Sequence, residues 1–303
     1  MAHNIFFWNL KVKFGYCTVK KFICFLFISL AVASSDTNAQ YYTELFSLNQ
    51  QSYLSRSPSS IQLNNLACNA VIPIVRKNGD VFLIRNSFEQ VDIRQSLATE
   101  KLWSFALPLG YQWTSKKRSN LRWLSLVIPK WAGGNHRSFS DASGWQYGIY
   151  TLATWTHSPT FKYKLGIYVN QEFFGTFVVP LVGLDWKVNE RFQIFGTLPN
   201  SMKLHYQLKP NRWNIALAYR SMTRSFRNEL SNHWIRYNEM GVKALLEFQI
   251  KQSVLFAEWG YFLGKSPRLF DQANPDVSLM NPIYSGQSNF WMFNVGYAFR
   301  LNQ

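Results

Sequence analysis

Strict alternation of apolar and polar side chains, sustained over nine or more residues and repeated along the chain, is the feature that most narrows what this sequence can fold into. Period two belongs to an extended strand whose two faces meet different surroundings. The clearest case runs from Arg212 to Arg220: Trp213, Ile215, Leu217 and Tyr219 share one face, while Asn214, Ala216, Ala218 and Arg220 share the other. Just before it, Met202, Leu204, Tyr206 and Leu208 alternate with Lys203, His205, Gln207 and Lys209. Pro210-Asn211 lies between them and suits a tight turn, because proline presets one dihedral and asparagine tolerates a left-handed one. A two-residue turn puts Leu208 opposite Trp213 and both apolar sets on one face.

The same pattern recurs from Gly241 to Leu263 around a turn at Lys251-Gln252, with Val242, Leu246, Phe248, Leu255, Trp259 and Leu263 on the apolar face. The register there sets Lys243 diagonal to Glu258 on the polar face. Phe290 to Leu301 and Phe161 to Asn170 alternate as well, and Asp80 to Arg94, Trp103 to Trp113 and Leu121 to Lys130 are strand-like.

Composition decides what these strands face. Aromatic residues make up 17% of the 303, including 12 Trp, 15 Tyr and 25 Phe, yet the mean hydropathy is only −0.15. Such a chain is too polar for membrane-spanning helices and richer in aromatics than an ordinary soluble domain. A transmembrane β-barrel accounts for both, because lipid-facing residues alternate with lumen residues and aromatic girdles mark the interfaces. The fold expected is therefore all-β: an antiparallel transmembrane β-barrel of 12–14 strands.

The beginning of the chain sets the address. Lys20-Lys21, an apolar run from Phe22 to Ala33 and small residues up to Ala39 follow the order of a secretory signal, with cleavage expected after Ala39. The run is about a dozen residues, short of the roughly 20 needed to span a bilayer as a helix. Residues 1–39 are thus expected to be removed and 40–303 to form a single barrel in the outer membrane of a Gram-negative bacterium. Cys68 is the one cysteine beyond the signal, so no internal disulfide framework is expected. About twenty residues separate the expected cut from Ile61, too few for a plug domain, which argues against an energy-coupled importer.

Connection lengths test the barrel. If the C-terminus lies on the periplasmic side, the tight turns at Lys251-Gln252, Pro210-Asn211, Val188–Glu190, His157–Pro159 and Ser115–Ser119 all fall on that side. The long polar segments Gly264 to Asn289, Thr223 to Trp234 and Trp131 to Gly144 then fall outside. Twelve strands from Asp80 to Leu301 satisfy this rule. Asn78-Gly79 adds a hairpin to a thirteenth strand, Ile61 to Val75, and an even count requires a fourteenth, at Tyr41 to Leu48. The short pair around Leu198-Pro199-Asn200 could instead be one bent strand.

The segment Pro180-Leu181-Val182-Gly183-Leu184-Asp185-Trp186-Lys187, followed by Phe195-Gly196-Thr197-Leu198-Pro199-Asn200 and the strand of Tyr206, resembles an uncharacterised family of outer-membrane barrels from Gram-negative bacteria. The resemblance implies fold and location and transfers no catalytic residue. The aromatic-rich C-terminal strand resembles the one by which such barrels meet the barrel-assembly machinery, although Leu301-Asn302-Gln303 follow its last aromatic, Phe299.

The formal charge of +16 falls to about +13 once Lys11, Lys13, Lys20, Lys21 and Asp36 are removed. Export argues against nucleic acid as the partner. Outer-membrane lipid with its lipopolysaccharide, and anionic solutes inside a pore, are the expected partners. The lumen candidates are Lys162, Lys164, Lys203, His205, Arg220, Lys243, Glu247 and Glu258. No catalytic or metal site and no cofactor are expected: the histidines lack metal-ligand spacing. The pairs His136/Ser138 and His157/Ser158 sit in a loop and a turn. A passive pore or small-solute transporter with a basic lumen and long outer loops is the first reading. A closed structural or adhesive barrel and an outer-membrane lipid-modifying enzyme are the alternatives.

Overall fold

The computed structural model describes residues 42–55, 62–95, 98–134, 139–228, 233–271 and 287–302. The expected signal, residues 1–39, and the pair His136/Ser138 lie outside them. The strands, in chain order, are β1 (Tyr42–Ser55), β2 (Gln62–Val75), β3 (Val81–Gln95), β4 (Ala98–Ala106), β5 (Leu109–Thr114), β6 (Leu121–Gly134), β7 (Trp145–Ser158), β8 (Phe161–Glu172), β9 (Gly175–Lys187), β10 (Phe192–Leu198), β11 (Ser201–Lys209), β12 (Trp213–Arg227), β13 (His233–Ile250), β14 (Ser253–Asp271) and β15 (Gln287–Asn302).

Each strand pairs antiparallel with its neighbour, and β1 pairs with β15, so the sheet closes on itself. β4 and β5 together occupy one wall position, because β3 pairs with β4 through Ser87–Gln95 and with β5 through Val81–Ile84. The break falls at Leu107-Pro108, where proline has no amide hydrogen to offer a ladder. Arg85 N–H donates to the Pro108 carbonyl (2.9 Å) and Leu107 N–H to the Pro129 carbonyl (3.0 Å), carrying the wall across it. The barrel therefore has fourteen wall positions. The expected first strand is longer than its sequence signal, and Leu198–Asn200 is a true hairpin end, with Thr197 opposite Ser201.

One end, the turn end, carries the tight connections and the C-terminus of β15; the other is the loop end. Asn211 (φ 58°), Lys251 (φ 55°) and Gly79 (φ 82°) supply left-handed backbone at three turn-end connections. At Asn211 the turn takes one residue more than expected. Arg212 N–H bonds the Lys209 carbonyl, so Lys209 rather than Leu208 faces Trp213, while the rest of that pairing keeps the anticipated register. At the loop end, strands run into segments expected as long loops: β12 reaches Arg227, β13 begins at His233, and β14 continues to Asp271. Two loop-end connections, at residues 173–174 and 199–200, are short.

The outward face is apolar, with Val127, Ile149, Val178, Val182, Leu255, Trp259 and Phe293 all more than half exposed. Stacked aromatic pairs mark it near both ends: Trp113 with Trp123 and Trp155 with Tyr163 toward the turns, Trp259 with Trp291 toward the loops. A continuous apolar exterior between aromatic girdles is the surface of a membrane barrel.

Candidate functional site in the barrel lumen

Inward positions carry the polar half of the alternation, and a lumen narrow enough to bury them forces charges to pair. At the turn end Glu247 on β13 is fully buried. Arg300 on β15 grips it through two parallel bonds of 3.0 Å, Lys203 Nζ stands 3.5 Å away and His205 Nε2 3.4 Å away. Arg300 Nε also reaches Glu44 on β1 at 3.3 Å. One carboxylate thus ties β11, β13 and β15 together from inside.

Further along the axis Lys243 bonds Glu258 at 2.6 Å, and Asn294 donates to the same carboxylate oxygen at 2.7 Å. Lys164 bonds Asp185 at 2.6 Å, and Lys162 lies directly opposite Asp185 in the β8–β9 register. Next comes a bridge between distant walls. Arg224 on β12 contacts Glu89 on β3 and donates to Glu239 on β13 at 3.0 Å. Glu239 also receives Arg220 Nε at 3.3 Å and the Tyr53 hydroxyl at 2.9 Å. Asn65 donates to Glu89 at 2.7 Å.

All eight sequence candidates face the lumen, and ion pairs join Lys164 to Asp185, Lys203 and His205 to Glu247, Arg220 to Glu239 and Lys243 to Glu258. Absent from that set were Glu89, Arg224, Glu239, Asp185, Glu172 and Arg300. Arg224 is in phase with Arg220 and Glu172 with Lys162, so carrying each alternation further along its strand would have found them. His157 and Ser158 are not brought together for catalysis: the imidazole rests edge-on against Phe161, and the hydroxyl pairs with that of Thr160.

At the loop end the wall changes course. The end of β12 leaves the wall and crosses the lumen, so that Arg227 forms a parallel bridge with Gly133 of β6, a strand on the far side of the barrel. Ser225 is the fastening. Gln146 Nε2 donates to its carbonyl (3.2 Å) and hydroxyl (3.0 Å), its amide donates to Glu172 (3.0 Å), its hydroxyl also bonds Glu172, and Phe173 N–H donates to that hydroxyl (3.1 Å). Glu172 is held in turn by Asn170 (2.6 Å) and Lys130 (3.4 Å).

Beneath this crossing lies a dry collar. Tyr53, Leu63, Val91, Ile93, Leu102, Phe262, Phe290 and Met292 point inward from the wall and pack with Phe226 and Ile235 of the β12–β13 hairpin. Phe226 and Ile235 have no exposed surface at all. The hairpin end is therefore buried like core, although it sits in the mouth of a barrel.

Residues 147–274 match the DUF6268 family, a domain of unknown function. The segment Pro180 to Asn200 that carries the sequence resemblance falls inside this match. No curated protein matches. Among solved structures, the COG4313 outer membrane channel from Pseudomonas putida F1 is 11% identical with a TM-score of 0.45, over 89% of this chain and 100% of that one. The Pseudomonas putida toluene transporter TodX is 9% identical with a TM-score of 0.39, over 91% of each chain. The KdgM porin, solved with disordered oligogalacturonate, is 10% identical with a TM-score of 0.33, over 84% of this chain and 99% of that one. Likeness this distant says nothing of what the present chain carries.

Proposed function

We propose that the protein is an outer-membrane channel for small solutes, captured in a closed state, with the turn end in the periplasm and the β12–β13 hairpin as its gate. The observation that carries this reading is the course of β12 across the mouth, fastened at Ser225 and seated on the apolar collar. A barrel that only needed to be solid has no reason to bend one wall hairpin into its mouth. An apolar constriction that excludes water blocks ions without a plug domain. Below the collar the lumen offers both signs of charge in fixed pairs, which favours a mixed-charge path over the basic lumen first expected. The final strand, with Phe293, Val295, Tyr297 and Phe299 outward, is proposed to meet the assembly machinery, and the outer surface to meet lipopolysaccharide.

Planar-bilayer recording tests the gate. Wild-type barrel is expected to stay silent or open briefly, and Gln146→Ala/Ser225→Ala to show stable steps. The closed structural barrel is the second reading, favoured by the paired lumen charges. Silence of the double variant, once shown to be folded and inserted, would decide for it.

A further inference from the structure

The β10–β11 hairpin is the shortest part of the wall, and its neighbours outrun it. β9 pairs with β10 only through Val182–Lys187, whereas on its other side it pairs with β8 up to Gly175. β12 pairs with β11 only as far as Arg220, whereas on its other side it pairs with β13 up to Arg227. Above the turn at residues 199–200, therefore, residues 175–181 of β9 and 221–227 of β12 face each other with no wall strand between them among the described residues. The end of β12 curves into the mouth, where its bonds go to Gln146, Glu172, Phe173 and β6 rather than to β9.

The opening has a frame. Phe174 of the β8–β9 turn packs on Trp234 (5.8 Å between ring centroids) and lies under the Arg236 guanidinium (4.3 Å), while Arg227 covers Phe173 (5.0 Å). Its β9 flank is apolar on both faces: Val178 is 58% exposed on the outside beside Pro180, and Val179 and Leu181 point inward. Val178 lies opposite Val169 and Val182 opposite Leu165, so the lower part of the opening is level with the apolar exterior. A bare strand edge at that depth leaves unpaired amides and carbonyls facing hydrocarbon, which membrane proteins avoid unless the edge borders a cavity or path. Proline has no amide hydrogen to leave unpaired, which makes Pro180 a compatible residue there.

We infer that this window is a lateral port through which small apolar molecules pass between the barrel interior and the outer leaflet. The inference rests on the channel reading and assigns its substrate class. The collar supports the same class: a water-filled lumen calls for polar inward side chains, and here Leu63, Val91, Ile93, Leu102, Phe262 and Phe290 line the mouth. Phe226 and Ile235 fill that collar in the closed state, occupying the space an apolar solute would take.

The test compares two probes in cells whose outer membrane otherwise excludes both: apolar 1-N-phenylnaphthylamine, which fluoresces once in lipid, and polar, anionic nitrocefin, hydrolysed by a periplasmic enzyme. Cells making the full chain are expected to take up the apolar probe several-fold faster than cells without it, with nitrocefin within twofold. Val179→Asp should return apolar uptake to background. Because that variant could fail to fold, a photo-crosslinking residue at Val179 gives a second readout. It should capture lipid chains, whereas one at inward-facing Ala216, on a wall paired on both sides, should not. Nitrocefin uptake without the apolar probe would overturn the port and leave the channel standing. Uptake of neither probe, even by Gln146→Ala/Ser225→Ala, would overturn both. Apolar uptake unaffected by folded Val179→Asp, with no lipid captured at position 179, would remove the port from this window.

Discussion

Glu247 shows what one residue does in a sealed lumen. Its carboxylate is buried among Arg300, Lys203 and His205, and removing it takes from the buried Arg300 guanidinium the carboxylate that holds it through two bonds. Breaking a buried pair from one side typically costs about 3–5 kcal/mol. Glu247→Ala is accordingly expected to lower stability by that order, read from urea unfolding in lipid, and Glu247→Gln to do so less, because it keeps the shape. At the turn end, Asp80 is held below the usual carboxylate range, first by the Tyr111 hydroxyl (2.6 Å) and also by Asn78. A depressed carboxyl stabilises the fold above its unfolded pKa of about 3.9, and that contribution is lost as pH falls through the lower, folded value. Tyr111→Phe should move the Asp80 titration up toward the ordinary value, followed by carboxyl-carbon NMR; an unmoved midpoint would refute the assignment. Lys251 sits at φ 55° with a side chain that disfavours it. Lys251→Gly is expected to be neutral or stabilising by up to about 1 kcal/mol, the strain removed being of that order.

At the scale of the strand, period two carried most of the fold. It fixed which side chains face out, the count of wall strands once the Asn78-Gly79 turn was included, and the Lys243–Glu258 diagonal. Two things escaped it for physical reasons. Alternation is the same whether a strand stays in the wall or bends into the mouth, so polar Thr223 to Trp234 reads as loop although Ser225, Phe226 and Trp234 are buried. Partners across the lumen, such as Arg224 with Glu89, exist only once the barrel has closed, and no local spacing encodes them. The interruption between β4 and β5 is legible in Pro108, which lies inside the strand-like stretch Trp103 to Trp113. The element-level prediction concerns the hairpin: Phe226→Ala leaves a hole in the collar, and a buried Phe→Ala change costs about 3–5 kcal/mol locally. Because the described collar cluster draws on the β12–β13 end and not on strands β7–β9, that loss should appear as faster amide exchange in residues 224–227 and 234–236, with the protection of β7–β9 unchanged.

Over the whole barrel the exterior, the lumen and the mouth obey different rules. The exterior is apolar because it meets lipid; the lumen is charged and self-paired because little water remains to solvate it; the mouth is dry because a hairpin of the wall occupies it. In the proposed channel, closure by a folded-in wall element makes the gate continuous with the frame, and opening requires the Ser225 fastening, the collar contacts, the Arg224–Glu89 pair and the Arg227–Gly133 bridge to give way. A reversible tether tests that claim most directly. In a Cys68→Ser background, cysteines replacing Gln146 and Ser225 would be joined by a short bifunctional methanethiosulfonate, whose reducible bridge replaces the reach of the glutamine side chain, and conductance of the same bilayer-inserted barrel would be followed before and after reductant. The account predicts silence while the bond holds and stable current steps once it is reduced, since neither fastening side chain remains. Equal current in both states, or none in either from a folded barrel, would contradict the hairpin as the gate.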